Sequence, residues 1–251
     1  MSAVLERIHA VLADDERAVL FTIIEGDGAG RHMLVLESGE RVGDELGDDL
    51  AAQAGEVIRG HTNRILELGD RRVFADVYAP PPRLLVYGAV DTAESLAKLA
   101  RQLGWQAIVA DARAKFATRE RIPSANEIIV AWPEETIEQV APDHATAVVV
   151  LTHDDKFDVP ALKAALGTEA FYVGALGSRR NQERRRERLL EAGVDESELE
   201  RISGPCGLDL GAESQPETAV SILAEIIAVR NGRDGGKLQQ SKQRIHVEVA
   251  E

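Results

Sequence analysis

Several short stretches carry residue types that suit anion or nucleotide chemistry. Gly88-Ala89-Val90-Asp91-Thr92-Ala93 follows an apolar run and opens a helical pattern. A dinucleotide turn needs a first glycine for the tight bend and a second for close approach of pyrophosphate. Its third position must be small, for helix–strand packing. Gly88 and Ala93 suit the first and third positions, while Val90 puts a β-branched side chain at the second. Asp91 is either a ligand-facing acid or a first-turn residue that complements the helix dipole. Asp111 ends the next apolar run, where an acid would meet a ribose hydroxyl. Arg113, two residues on, would meet a phosphate, although a loop-start acid and a solvated arginine explain the pair equally well.

A second cluster is Gly174-Ala175-Leu176-Gly177-Ser178-Arg179-Arg180. Two glycines, a hydroxyl and two arginines at a helix start make a natural anion site. Arg184, Arg185, Arg186 and Arg188 follow, and these are expected to form a solvated face with local ion pairs. His153, in Thr152-His153-Asp154-Asp155, is a base, a ligand or a turn residue. Gly204-Pro205-Cys206-Gly207-Leu208-Asp209 holds the single cysteine. Cys206 is either a nucleophile or a small buried hydrophobe. The catalytic and metal-ligand sets are expected to be empty, since no hydrolase, P-loop or metalloprotease motif occurs.

The elements that must position these residues fall into two groups. Pro80-Pro81-Pro82 resists helix and sheet alike and marks a boundary. Residues 1–79 read as a small α+β domain. A helix carries Val4, Ile8, Val11 and Leu12, and strands run over Ala18–Ile24, Met33–Glu37 and Arg72–Tyr78, with a helix from Leu50 to Ile58. Residues 80–232 alternate strand and helix. Strands are expected at 84–87, 107–111, 127–130, 146–152 and 171–173, and helices at 93–103, 160–166, 179–192 and 216–230. Near-continuous apolar strands alternating with helices predict a Rossmann-like, doubly wound parallel sheet. Residues 233–251 read as a polar tail.

Composition narrows the function. The 251 residues are 44% apolar and 29% charged, with 43 acidic against 29 basic side chains and a net charge of −14. Such a chain lacks the positive field that nucleic-acid binding uses, so no nucleic-acid partner is expected. One cysteine forms no internal disulfide, and the opening Ser2-Ala3-Val4-Leu5-Glu6-Arg7 lacks an apolar signal core. No apolar run is long enough to span a bilayer. A cytoplasmic protein is expected.

Phe171–Arg180, Arg201–Ala212 and Pro216–Arg230, with Leu151-Thr152-His153-Asp154, resemble the XdhC/CoxI family of xanthine dehydrogenase accessory proteins. The resemblance covers roughly residues 84–233. It implies a small N-terminal domain before a Rossmann-like one. It further implies binding of the molybdenum cofactor (molybdopterin) in transit, and help with its sulfuration and insertion into a molybdenum hydroxylase client of the xanthine or carbon monoxide dehydrogenase type. A sulfurtransferase such as a cysteine desulfurase, and a homo-oligomeric state, belong to the same expectation. The cofactor-binding set is Gly88, Ala89, Asp111, Arg113, His153, Gly174, Gly177, Ser178, Arg179, Arg180, Gly207 and Asp209.

The chain departs from the family in places. Gly88-Ala89-Val90-Asp91 replaces Gly-Ala-Gly-His. Glu25–Val35 keeps only the frame of a Gly-Ser-x-Pro-Arg segment. Gly43–Asp48 stands where a cysteine-bearing segment belongs, and Cys206 replaces an aliphatic residue. Two rival readings stay open: an NAD(P)-dependent oxidoreductase using Gly88, Ala93, Asp111 and Arg113, which Val90 opposes, and a non-catalytic scaffold with a vestigial Rossmann domain.

Overall fold

The computed structural model describes residues 3–60 and 62–241. The described residues divide into two compact units, those up to Pro80 with those after Gly235, and Pro81–Gly235; residues 242–251 of the expected polar tail lie outside the described residues.

The first unit runs α1 (Ala3–Ala13), β1 (Ala18–Glu25), β2 (His32–Leu36), β3 (Arg41–Gly43), α2 (Asp48–Gly60), β4 (Arg64–Leu68) and β5 (Arg71–Tyr78). Its antiparallel sheet has the order β3-β2-β1-β5-β4. Val4, Ile8 and Val11 bury one stripe of α1 at helical spacing, against Ala18, Leu34 and Leu36. On the other side, Leu50, Ala54, Val57 and Ile58 of α2 pack with Val19, Phe21, Ile23, Val73 and Ala75. A sheet covered by a helix on each face explains why β1 and β2 read as nearly continuous apolar runs. The short strands β3 and β4 escape the sequence pattern. β3 has no buried residue, and β4 carries charged residues among its apolar ones.

The second unit runs β6 (Arg83–Tyr87), α3 (Asp91–Gln102), β7 (Gln106–Ala110), β8 (Glu127–Ile129), α4 (Pro133–Val140), β9 (Thr146–Val150), α5 (Asp155–Leu166), β10 (Tyr172–Ala175), α6 (Arg179–Glu191), α7 (Glu196–Leu199), β11 (Ile202–Ser203) and α8 (Gln215–Arg230); a 3₁₀ turn at Leu238–Gln240 follows. Six parallel strands lie in the order β11-β10-β9-β6-β7-β8. This is the doubly wound order of dinucleotide-binding folds, with its reversal between β6 and β9.

One face packs α3 and α8 against the sheet through Leu96, Ala97, Ala100, Ile222, Leu223 and Ile226. The opposite face packs α5 and α6 through Phe157, Ala161, Leu162, Ala165 and Leu189. The parallel-sheet expectation holds, but the sixth strand, β11, and the short helix α7 were not expected, and two further helices differ. The helix expected from Pro160 begins earlier, at Asp155. Asp154 caps it by accepting from the Lys156 N–H, and Pro160 sits inside. Buried Phe157, Ala161 and Leu162 hold that turn helical despite the missing donor. Helix α4 was hidden by its sequence: Glu134, Glu135, Glu138 and Gln139 leave only Pro133, Thr136 and Val140 buried. No described helix is long and apolar enough to cross a membrane.

Candidate functional site at the carboxyl edge of the parallel sheet

Register sets the site. Ile129, Ala110, Tyr87, Val150 and Ala175 are level across neighbouring strands. The segments that leave them, carrying Asp111, Gly88, Thr152-His153 and Gly177–Arg180, therefore emerge along one edge. Open α/β sheets bind ligands at this edge, beside the strand-order reversal.

Gly88 occupies the reversal, at φ +112°. A Cβ there would stand 2.8 Å from the Thr152 methyl and 3.1 Å from its backbone nitrogen. Glycine is needed because the β9 loop presses against the turn and the backbone is left-handed. The next two amides are used internally. The Ala89 N–H donates to Asp111 Oδ2 at 3.0 Å, and the Val90 N–H donates to the Gly88 carbonyl at 2.9 Å. Val90 is the N-cap of α3 and packs against the core. Asp91 is exposed and pairs with Arg121 at 3.3 Å.

Asp111 is buried, and its four acceptor positions are filled by its own chain. Oδ1 accepts from the Arg113 backbone N–H and Nε, at 2.9 and 2.8 Å. Oδ2 accepts from Arg113 Nη2 at 2.8 Å and from the Ala89 N–H. Burial pushes its pKa upward, but the Arg113 guanidinium and these amides hold it below the usual aspartate value. The acid expected to meet a ribose thus ties the β7 loop to the Gly88 turn, and Arg113 is its partner.

At the end of β9, His153 is exposed and Thr152 is buried. Thr152 donates its hydroxyl to Asp158 Oδ1. Asp158 also meets Arg185 Nη2 at 2.7 Å, with side-chain exposures of 2% and 5%. Burial pushes the Asp158 carboxyl above its usual pKa, against the opposing pull of Thr152 and Arg185. Arg185 further donates to the Leu176 carbonyl at 3.0 Å and to Gln182. This corrects the expectation of a wholly solvated arginine face. Arg184, Arg186 and Arg188 are exposed and pair with Asp155, Glu196 and Glu191, but Arg185 is a core residue. The signal was its spacing of four from buried Leu189. Nothing local marked Asp158 as its partner.

The Gly174–Arg180 stretch divides. Gly174 is buried in β10, and a Cβ there would lie 2.6 Å from the Tyr172 ring. Its missing side chain makes room for that ring and not for an anion, which corrects the reason expected for this glycine. Gly177 adopts φ +142° and leads into Ser178, whose hydroxyl caps α6 by accepting from the Asn181 N–H. Arg179 and Arg180 are exposed in the first turn. Gly207 has φ +111° and lies against Ser221 of α8, while Asp209 is exposed.

Cys206 is buried in the core against α8. Burial first, and then the Glu225 carboxylate, push its thiol up to about 12. Glu225 accepts from the Tyr172 hydroxyl and, at 2.8 Å, from the Gly207 N–H. This acid within an apolar helix was the sequence trace of a buried polar junction. Among the described residues no group of three or more His, Cys, Asp or Glu is placed to hold a metal ion.

Known proteins share this architecture. Residues 84–226 match the XdhC Rossmann domain family. The chain is 34% identical over 158 residues to a Bacillus subtilis protein described as a probable xanthine dehydrogenase component, covering 63% of this chain and 46% of that one. It is 31% identical over 153 residues to the molybdenum cofactor insertion chaperone PaoD of Escherichia coli, covering 61% and 42%. A crystal structure described as a xanthine dehydrogenase from Bacillus halodurans superposes with a TM-score of 0.69 at 26% identity, covering 91% of this chain and 67% of that one. The chain spans less than half the length of these two curated relatives. With the family's Rossmann domain matched over more than half its length, on a sheet of the doubly wound order, the chain belongs to the XdhC family.

Proposed function

We propose that this protein is a maturation factor for a molybdenum hydroxylase of the xanthine or carbon monoxide dehydrogenase type. It binds the molybdenum–pterin cofactor in transit and assists its sulfuration and insertion into the client enzyme. The relatives named for xanthine dehydrogenase and for cofactor insertion support the role. One observation carries the binding site. Among the described residues, Arg184, Arg185, Arg186 and Arg188 each have a carboxylate partner, whereas Arg179 and Arg180 have none and face solvent.

Two unspent guanidinium groups at the positive end of a 13-residue helix suit a phosphate. Gly177, Ser178, Arg179 and Arg180 would hold that end of the cofactor, and exposed His153 lies on the same edge of the sheet. The bound cofactor supplies the redox centre that the client enzyme uses. The chain's own part is to bind, orient and release, which requires no catalytic base. Sulfur chemistry falls to a partner sulfurtransferase, because the only cysteine is buried with its thiol protonated at neutral pH.

The NAD(P) reading has weaker support. The Ala89 and Val90 amides and every Asp111 acceptor are already engaged. The test is titration with a pterin phosphate, alongside melting curves. Charge-assisted contacts contribute about 1.5–3 kcal/mol each. Arg179→Ala should therefore weaken binding by about tenfold or more with little change in melting temperature. Arg186→Ala, whose partner is Glu196, should change binding little. Equal losses in the two variants would replace a site with diffuse electrostatics.

A further inference from the structure

The chain is poor in aromatic residues and strongly acidic, yet one part of the second unit gathers rings and cations. Of two tryptophans and five phenylalanines, Trp132, Phe157 and Phe116 lie there. Trp132 and Phe157 have ring centroids 5.4 Å apart, tilted by 42°. Lys156 Nζ lies 4.8 Å from the centre of the Trp132 ring and 5.7 Å from that of Phe157. The Arg113 guanidinium lies 5.5 Å from Phe157 and 4.3 Å from Phe116. Lys115 and Arg121 approach Phe116 at 5.0 and 5.2 Å. Rings and cations thus alternate from the end of β8 to the loop after β7.

The charges do not all cancel. Arg113 is offset by Asp111 and Arg121 by Asp91. Nearby, Asp155 is engaged by Arg184, Asp154 caps α5, and Glu135 accepts from the Trp132 N–H. Lys115 and Lys156 have no carboxylate partner among the described residues. Trp132 stays 43% exposed even with Lys156 against its ring. It is also held in place, as the N-cap of α4 followed by Pro133. A half-open indole with one unspent ammonium group, Lys156, against its ring suits a flat ring that bears an anionic substituent.

The geometry points to a second ligand subsite here, with Trp132 stacking the planar heteroaromatic ring of a phosphorylated molecule and Lys156 moving from the indole to the phosphate. Its residues are separate from the arginine pair of α6, so it does not depend on the cofactor assignment made above. A purine nucleotide and a phosphorylated pterin share this chemistry, and the experiment separates them.

The full chain is titrated by calorimetry with AMP, with adenosine and with a phosphorylated hydroxymethylpterin. Trp132 fluorescence is followed in parallel in a Trp105→Phe background. At least one of the two anions should bind with a dissociation constant below about 1 mM and quench Trp132. Adenosine should bind at least about fivefold more weakly than AMP if AMP is the ligand. Trp132→Leu should weaken the anion by about tenfold or more. Lys156→Met should weaken it several-fold and flatten its salt dependence. Arg179→Ala should leave this quenching unchanged, which keeps the subsite distinct from the phosphate site on α6. Absence of saturable binding by either anion up to about 10 mM would overturn the subsite. So would equal affinity with and without Trp132→Leu in an Arg179→Ala background, where the α6 phosphate site is removed. Should Trp132→Leu fail to fold, unchanged affinity in Lys156→Met together with unquenched Trp132 would overturn it equally.

Discussion

Arg185 of α6 and Asp158 of α5 meet at 2.7 Å with both side chains almost wholly removed from solvent, and Thr152 of the β9 loop closes the junction from the third side. The pair fixes α5 against α6, the two helices that open at the loops carrying His153 and Gly177–Arg180. Removing one partner of a buried pair strands the other charge and costs about 3–5 kcal/mol. Arg185→Met alone should therefore lower stability by that order in a denaturant melt. Arg185→Met combined with Asp158→Leu should recover part of the loss. A double variant no better than the single would show that packing, and not the stranded carboxylate, sets the cost.

Asp111 supplies the pH dependence that is simplest to read. Its folded pKa is depressed, so its contribution is fully present above the unfolded aspartate value near about 4 and is lost as pH falls through the folded value. The Asp111→Asn variant should be less stable than wild type at neutral pH, by about 2–4 kcal/mol for a buried charge-assisted network. The gap should narrow in acid. Chemical denaturation at several pH values between neutrality and about 3 checks the convergence. A gap constant across that range would place the effect in sterics.

Gly88→Ala should destabilise strongly. The added Cβ meets both the Thr152 methyl and its backbone, at a left-handed φ that alanine disfavours. Backbone strain and overpacking of this kind each cost about 1–3 kcal/mol. A thermal melt indistinguishable from wild type would mean that the β9 loop yields.

At the Gly88 turn, nicotinamide cofactors should bind more weakly than about 1 mM, read in a Trp132→Leu background that removes the aromatic subsite. Substituting Val90→Gly should not rescue them, because the Ala89 amide and the Asp111 carboxylate remain tied to each other. Calorimetry with NAD and NADP on both proteins tests this, and micromolar binding to Val90→Gly would show that the valine side chain was the barrier.

Cys206 should react slowly with thiol reagents in the folded state at neutral pH, since its thiol is buried and pushed up to about 12. Labelling should quicken only on unfolding. The Cys206→Val variant should fold, as the position asks for a small apolar group among Tyr172, Ala219 and Ile222. Rapid modification of native protein would restore a reactive role.

The sequence was most legible where a local rule and a tertiary requirement coincide. Leu84–Tyr87, Ala107–Ala110 and Thr146–Val150 read as strands because a sheet covered on both faces needs apolar residues at successive positions. Gly88 and Ser178 were visible as a turn glycine and a helix start, since φ and capping are decided within a few residues. Strands β3 and β11 were not, because three and two residues show no period.

By itself the sequence determined the alternation of elements, the apolar faces, and the stretches that reach the carboxyl edge. Those depend on side-chain type and on spacing along the chain. Only the tertiary structure decided which charges remain free there. Asp111 lost its acceptors to Arg113 and Ala89, Arg185 was drawn into the core by Asp158, and Gly174 gave its space to Tyr172, while Arg179 and Arg180 were left facing solvent. The physical reason is that a charged or polar group is assigned by the partner that reaches it. Arg185 and Asp158 stand on different helices, 27 residues apart in sequence, and only the packing of α5 on α6 brings them together.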